Sequence, residues 1–334
     1  MWASWYDYQG PAAVLRYGEL PNPEPAPGEV RVRLSVSGIN PGDIKKRAGW
    51  LNNPMAFPRI VPHSDGAGYI DAVGTNVPET LIGQRVWVYG AQSYRPFGTA
   101  AQYTTVPARQ AVPLPHNVPD DIGACLGIPG ITAHRCVFAD GPVHGRTVLV
   151  HGVLGGVGSL AAQLARRAGA TVIGTVHHLR DVGLAQQLNL AGIVALDQPD
   201  AAGAVREFAP RGVERVVEVS LSDNALFDSR VLAPYGVIAA YGTRTDDTAI
   251  PFWPLLFNNV TLRLLGSDDF PPEAKQLAAQ DLTAAAATDE LIVPIAERYP
   301  LEQIARAHGD VESDVRGRVV LEIPERPHPT VRVT

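Results

Sequence analysis

The apolar residues of this chain follow two different rhythms. Between residues 28 and 118 they come in short stretches that alternate with polar positions and are broken by Gly and Pro. Val30-Arg31-Val32-Arg33-Leu34-Ser35-Val36 and Arg85-Val86-Trp87-Val88-Tyr89 therefore read as strands of an irregular β domain. From 119 to 267, helical patterns alternate with nearly continuous apolar runs: 148–150, 171–173, 193–196, 213–217 and 236–240. Strands of that composition are buried on both faces, so this part predicts a parallel sheet covered by helices, an α/β fold. Residues 274–287 predict a helix and 317–323 a returning strand, and the Pro-rich segment after Ile323 is expected to fray.

Composition narrows the function classes. With 334 residues, 46% of them hydrophobic, the chain can bury a large core and form two domains. A net charge of −6 disfavours a nucleic-acid surface, and neither a zinc finger nor an aromatic-basic repeat is visible. The opening Met1-Trp2-Ala3-Ser4-Trp5-Tyr6 lacks the features of a secretory signal, and no apolar run reaches membrane-spanning length. A cytoplasmic enzyme is the expectation. Cys125 and Cys136 are the only cysteines, too few for a disulfide scaffold, and read as reduced structural thiols.

The strongest chemical signal follows the first apolar run of the α/β part. Thr147–Val150 leads into His151-Gly152-Val153-Leu154-Gly155-Gly156-Val157-Gly158 and then the helical Ser159–Arg167. A strand, a glycine-rich turn and a helix beginning near Gly156 suit a dinucleotide: Gly155, Gly156, Val157 and Gly158 let backbone approach a pyrophosphate at the positive end of a helix. Val153 stands where the usual first glycine of the motif would be, and a purely structural turn is the competing reading. The next strand is expected to end at Gly174 or Thr175, on the ribose side. A neutral Thr175 followed by Arg180 favours NADPH over NADH, since an acidic strand end would suit the unphosphorylated ribose. Asp181 either pairs with Arg180 on the surface or opposes a phosphate. Tyr241, after a later strand, is a candidate for the nicotinamide channel or an ordinary loop start.

With Ser37-Gly38-Ile39-Asn40-Pro41-Gly42-Asp43, Pro62-His63-Ser64-Asp65-Gly66-Ala67-Gly68, Gly127-Ile128-Pro129-Gly130-Ile131-Thr132-Ala133-His134 and the glycine turn, the chain resembles the zinc-independent, zeta-crystallin-like quinone oxidoreductases of the medium-chain dehydrogenase/reductase superfamily. The resemblance runs over residues 11–323. It implies a Rossmann-like dinucleotide domain over 120–267, a partly barrel-like, GroES-like catalytic domain from 1–119 and 268–330, and an active cleft between them. Asn40 and Ser64 match the positions of the catalytic cysteine and the histidine ligand in zinc-dependent relatives, while Asp65 keeps the acidic position. Zinc-free hydride transfer is thus implied, with a His63-based metal site as a remote alternative and no four-cysteine structural zinc site.

The same resemblance implies NADPH-dependent two-electron reduction of quinones. Activated alkenes such as α,β-unsaturated aldehydes or ketones are the alternative substrates, and a catalytically weak NADPH-binding regulatory protein is a further reading. Asn40 is the candidate amide donor to substrate, or else caps its Asn-Pro turn. Thr132 is the candidate for orienting nicotinamide or substrate, or else packs its helix. His134 replaces a common tyrosine, which weakens a proton-donor assignment there. Arg318 sits where the family suggests a phosphate contact, and Trp50, Tyr94, Phe97, Trp253 and Phe257 are candidates for an aromatic wall or for core packing. A homodimer through the nucleotide domain is implied, with the apolar Val260–Leu265 as a candidate edge strand.

Overall fold

Alternation of apolar and polar positions makes strands before residue 118, and in this computed structural model, which describes residues 1–288, 290–313 and 315–324, those strands are β1 (Trp2–Trp5), β2 (Arg16–Glu19), β3 (Glu29–Gly38), β4 (Asp65–Val73), β5 (Arg85–Val88), β6 (Tyr103–Pro107) and β7 (Ala111–Pro113). β3 displays the period of two: Val30, Val32 and Leu34 are buried and Arg33 is exposed. The continuous apolar runs become β8 (Thr147–Val150), β9 (Thr171–Val176), β10 (Gly192–Ala195), β11 (Val213–Glu218), β12 (Leu232–Ala240) and β13 (Thr261–Leu264). These six pair in parallel in the order β10-β9-β8-β11-β12-β13. Leu149, Ile173, Val216 and Ile238 are buried along its centre, as strands covered on both faces require. The chain returns as β14 (Ile295–Pro300) and β15 (Arg318–Glu322) and completes a sheet ordered β14-β15-β3-β4-β5-β7, with β6 on β3.

Two compact units result, one of Met1–Ile128, Ala279–Asp289 and Val293–Thr334, the other of Pro129–Ala278 and Glu290–Ile292. Their boundaries fall later than the expected 119/120 and 267/268. The short helix Asp120–Gly123 stays with the β-rich unit because Arg85 Nε donates to Asp120 Oδ1 at 2.8 Å. Residues just after 267 stay with the parallel sheet, where the Arg135 guanidinium lies 5.7 Å from the Phe270 ring centre.

β12 starts at Leu232, earlier than its apolar core suggests, and accommodates Pro234 and a positive φ of 62° at Tyr235 through a register shift against β11. The expected fraying concerns residues that, beyond Pro324, lie outside those described. Among the described residues no helix is long and apolar enough to cross a membrane.

In the parallel sheet the chain runs from β8 through β9 to β10 on one side, then crosses to β11 on the other side of β8. That reversal is the topological switch point, at whose strand carboxyl ends such sheets hold ligands.

Candidate active site

The glycine turn closes by backbone contacts. Gly152 takes φ +64°, so the left-handed residue of the turn is Gly152 and Val153 need not be glycine. Gly155 N donates to Gly152 O at 2.9 Å and Val153 N to Thr175 O at 3.1 Å. A Cβ on Gly158 would lie 2.3 Å from Gly152 O, so only glycine allows the helix Gly156–Arg167 to start this close to the strand. Gly155 is its N-cap and supplies no side-chain acceptor, leaving the first-turn N–H groups of Gly156, Val157 and Gly158 without intrahelical partners. Gly174 is equally confined, a Cβ there falling 2.7 Å from Leu190 and 2.8 Å from Val153.

Beneath this turn lies a fully buried polar cluster. Thr175 is turned inward, its Oγ1 3.0 Å from His151 Nδ1 and 3.3 Å from Gly152 N. His151 Nε2 is 2.9 Å from Asp228 Oδ1 and 3.5 Å from Glu218 Oε2. Burial works to lower the His151 pKa, but the Asp228 and Glu218 carboxylates outweigh it and hold the imidazole above its ordinary value. Burial pushes the Glu218 carboxyl up to about 7, against the pull of His151. The sequence points to His151 only by its place before the glycines; Asp228, inside the helix Leu221–Val231, carries no local signal.

In the β-rich unit, Asn40 caps the helix Pro41–Ala48, its backbone N–H donating to Asp43 Oδ2 at 2.8 Å. Its amide is also engaged. Nδ2 donates to Asp65 Oδ2 at 2.7 Å, and Oδ1 accepts from Arg318 Nη2 at 2.8 Å. Asp65 in turn accepts from the backbone N–H of Ile128 at 2.9 Å. Gly127 is required here, because a Cβ would stand 2.1 Å from Asp65 Oδ1. Burial pushes the Asp65 carboxyl up to about 7, opposed by the Asn40 amide, the Ile128 N–H and the Arg318 cation. Arg318, for which a phosphate contact was expected, is buried against Asn40 and Cys125. Burial raises both cysteine thiols.

A second buried chain runs alongside. Thr99 Oγ1 donates to Asp65 O at 2.6 Å, which leaves Ser37 to donate to Thr99 at 2.7 Å. The Ser37 oxygen then accepts from His63 Nδ1 at 2.9 Å, and His63 Nε2 accepts from His308 Nε2 at 2.8 Å. Both imidazoles are neutral: burial pushes His63 down to about 3, and burial, His63 and Arg47 together hold His308 well below its ordinary value.

The remaining candidates are dispersed. Thr132 and His134 are buried on the helix Ile128–Phe138, His134 against Phe138 with ring centres 4.7 Å apart. Tyr241, half-buried, donates its backbone N–H to Glu218 O at 3.0 Å, and burial raises its hydroxyl pKa well above the usual value. The Arg180 side chain is 75% exposed, its Nε 3.8 Å from Asp181 Oδ1. Trp253 and Phe257 stack on each other in the open, ring centres 5.8 Å apart, while Trp50 lies beneath Lys45 and Tyr94 and Phe97 are exposed.

Comparison with known proteins places this geometry. Residues 26–116 match the family described as alcohol dehydrogenase GroES-like domain, and residues 156–280 that described as zinc-binding dehydrogenase. The chain belongs to the medium-chain dehydrogenase/reductase superfamily. Within that superfamily it is 28% identical to a quinone oxidoreductase of Rattus norvegicus over 323 residues, 95% of either chain. A mycobacterial protein solved in complex with NADPH shares the fold at a TM-score of 0.83 and 28% identity, over 96% of this chain and 99% of that one. A 2-haloacrylate reductase does so at 0.83 and 26%, over 98% and 100%. Although one matched family is described as zinc-binding, the donors at the positions singled out in the sequence are an amide at Asn40, a hydroxyl at Ser64 and a carboxyl at Asp65, with the Arg318 cation 2.8 Å from the amide oxygen, a set that fits zinc poorly.

Proposed function

We propose that this chain is an oxidoreductase that binds NADP(H) on its parallel-sheet unit and reduces quinones by two electrons without zinc. The observation that carries the reading is the turn Gly152–Gly158, where a Cβ at Gly158 would meet backbone at 2.3 Å and the following helix begins with no side-chain cap. Such a cradle fits a pyrophosphate, and the quinone oxidoreductase and NADPH-bound relatives support the same reading. Bound NADPH supplies the hydride.

The residues have these roles. First-turn N–H groups of Gly156, Val157 and Gly158 hold the pyrophosphate, with Gly155 as the uncapped entry. Gly174 of β9 faces the adenosine ribose and exposed Arg180 supplies the cation for a 2′-phosphate, whereas Thr175, expected beside them, is turned inward onto His151. Tyr241 lines the nicotinamide side. Asn40 Nδ2 gives one N–H to Asp65 and offers its second to the acceptor carbonyl, where charge develops. Arg318 acts through Asn40 Oδ1 by polarising that amide, and Thr132 orients the reactants. Two buried thiols in the units described suit a reducing, cytoplasmic setting. A homodimer through β13 completes the reading: β13 ends its sheet and Leu264 is 70% exposed. A second reading, reduction of activated alkenes, is favoured by the likeness to a 2-haloacrylate reductase.

The test is a panel of quinones and α,β-unsaturated aldehydes and ketones, with products identified, run with and without dipicolinate. Quinone turnover that is indifferent to the chelator is expected, and Asn40→Ala is expected to lower kcat by roughly 100–1,000-fold with NADPH affinity retained. Saturable alkene reduction with no quinone turnover selects the second reading, and chelator-sensitive turnover overturns the zinc-free mechanism.

A further inference from the structure

We propose that His151, Glu218 and Asp228 form a binding site for one divalent transition-metal ion, zinc first among them, which locks the glycine turn to the parallel sheet. All three residues are 0% exposed, and their ligand atoms lie within 4.8 Å of one another. This is the only group of three or more such side chains close enough to share an ion among the described residues. His151 Nε2 stands 2.9 Å from Asp228 Oδ1 and 3.5 Å from Glu218 Oε2. Ligands about 2.1 Å from a zinc ion stand roughly 3.4 Å apart in a tetrahedron, and both His151 separations lie within about half an ångström of that spacing.

Two oxygens point to a missing partner. Glu218 Oε2 and Asp228 Oδ2 are buried and make no hydrogen bond, although leaving a buried carboxylate oxygen unsatisfied is costly. The atoms on the far side of each ligand are, by contrast, fastened. Glu218 Oε1 accepts from the backbone N–H of Ser220 and from Asn224 Nδ2. His151 Nδ1 lies 3.0 Å from Thr175 Oγ1, an outer-shell contact of the kind that orients a metal-bound histidine. Nε2, Oε2 and one oxygen of Asp228 make three protein ligands.

A divalent ion matches the charge of the cluster. Two carboxylates with a neutral imidazole carry two negative charges in a buried site. A proton on His151 removes one of them, whereas a divalent cation removes both. The mixed nitrogen and oxygen set suits zinc or manganese. Because Thr175 Oγ1 also receives the Gly152 N–H at 3.3 Å, the ion would be tied through His151 and Thr175 to the residue on which the phosphate turn pivots.

An enclosed ion is captured during folding, so the test reads metal content and stability and leaves the proposed reduction aside. Protein dialysed against EDTA in the native state is unfolded in guanidinium, and the released metal is measured by elemental analysis. A second sample is refolded with zinc or with EDTA and melted. One equivalent released only on unfolding, a higher Tm after refolding with zinc, and loss of both in Asp228→Asn and Glu218→Gln are expected. Trace metal together with a Tm indifferent to zinc during refolding overturns the proposal and leaves a proton-sharing cluster. Stoichiometric metal retained by both variants overturns it as well, by placing the ion elsewhere.

Discussion

Asn40 is held on three sides, by Asp43 at its backbone, Asp65 at its amide nitrogen and Arg318 at its amide oxygen, so its orientation is set before any substrate arrives. The position was legible in the sequence by its place in the Ser37–Asp43 segment. What it touches was not, because Arg318 is 278 residues away along the chain and only the return of β15 onto β3 brings them together. The histidine pair was hidden for the same reason, His63 and His308 being 245 residues apart. That pair yields a pH prediction. His63, held near 3 against an ordinary 6.5, binds its proton in the unfolded chain first. Its neutral burial costs nothing above the unfolded value, and stability falls as pH drops from about 6.5 toward about 3, by roughly 2 kcal/mol at pH 5. Asp65, raised to about 7, acts with the opposite sign, losing stability as pH rises from its unfolded value through about 7. The informative quantity is therefore the difference between proteins. Urea unfolding of His63→Asn/His308→Gln should start from a lower stability at neutral pH yet lose less than the wild type on acidification; an equal loss in both would show that the pair does not carry the acid sensitivity.

At the scale of elements, period and run length were enough to find five of the six parallel strands, each an apolar run bounded by a loop, while β13 was expected only as a candidate edge strand. Boundaries were less legible. Asp120–Gly123 looks like the opening of the α/β part, and only long-range contacts such as the bond from Arg85 to Asp120 and the packing of Gly123 on Leu114 and Ala67 show which unit it packs with. The strand, turn and helix from Thr147 to Arg167 form the element on which the cofactor reading depends. Gly158→Ala should weaken NADPH binding by about tenfold or more and cost roughly 1–3 kcal/mol by overpacking. Gly183→Ala, whose added Cβ meets nothing within 4 Å, should leave both unchanged in the same titration and melt. Equal behaviour of the two variants would remove the steric argument. The edge strand makes a separate prediction: Leu264→Glu should convert a dimer to a monomer by light scattering while NADPH binding persists. A wild-type protein that is monomeric at every concentration would reject the dimer.

At the scale of the whole molecule, one unit carries a parallel sheet with the glycine turn, and the other, β-rich, holds the Asn40 amide beside the Arg318 guanidinium and the buried Asp65 carboxyl. Fold class was readable from rhythm alone, because a continuous apolar run and an alternating one bury different numbers of faces. The identity of the electron acceptor was not, since no length of local pattern encodes the shape of a substrate pocket. The most direct measurement is anaerobic turnover with a simple quinone, counting NADPH consumed against hydroquinone formed and repeating the assay with NADH. The account predicts one NADPH per hydroquinone, no accumulating semiquinone signal and a clear preference for NADPH. Absence of NADPH consumption with every quinone tried, or turnover that runs equally well on NADH, would contradict it.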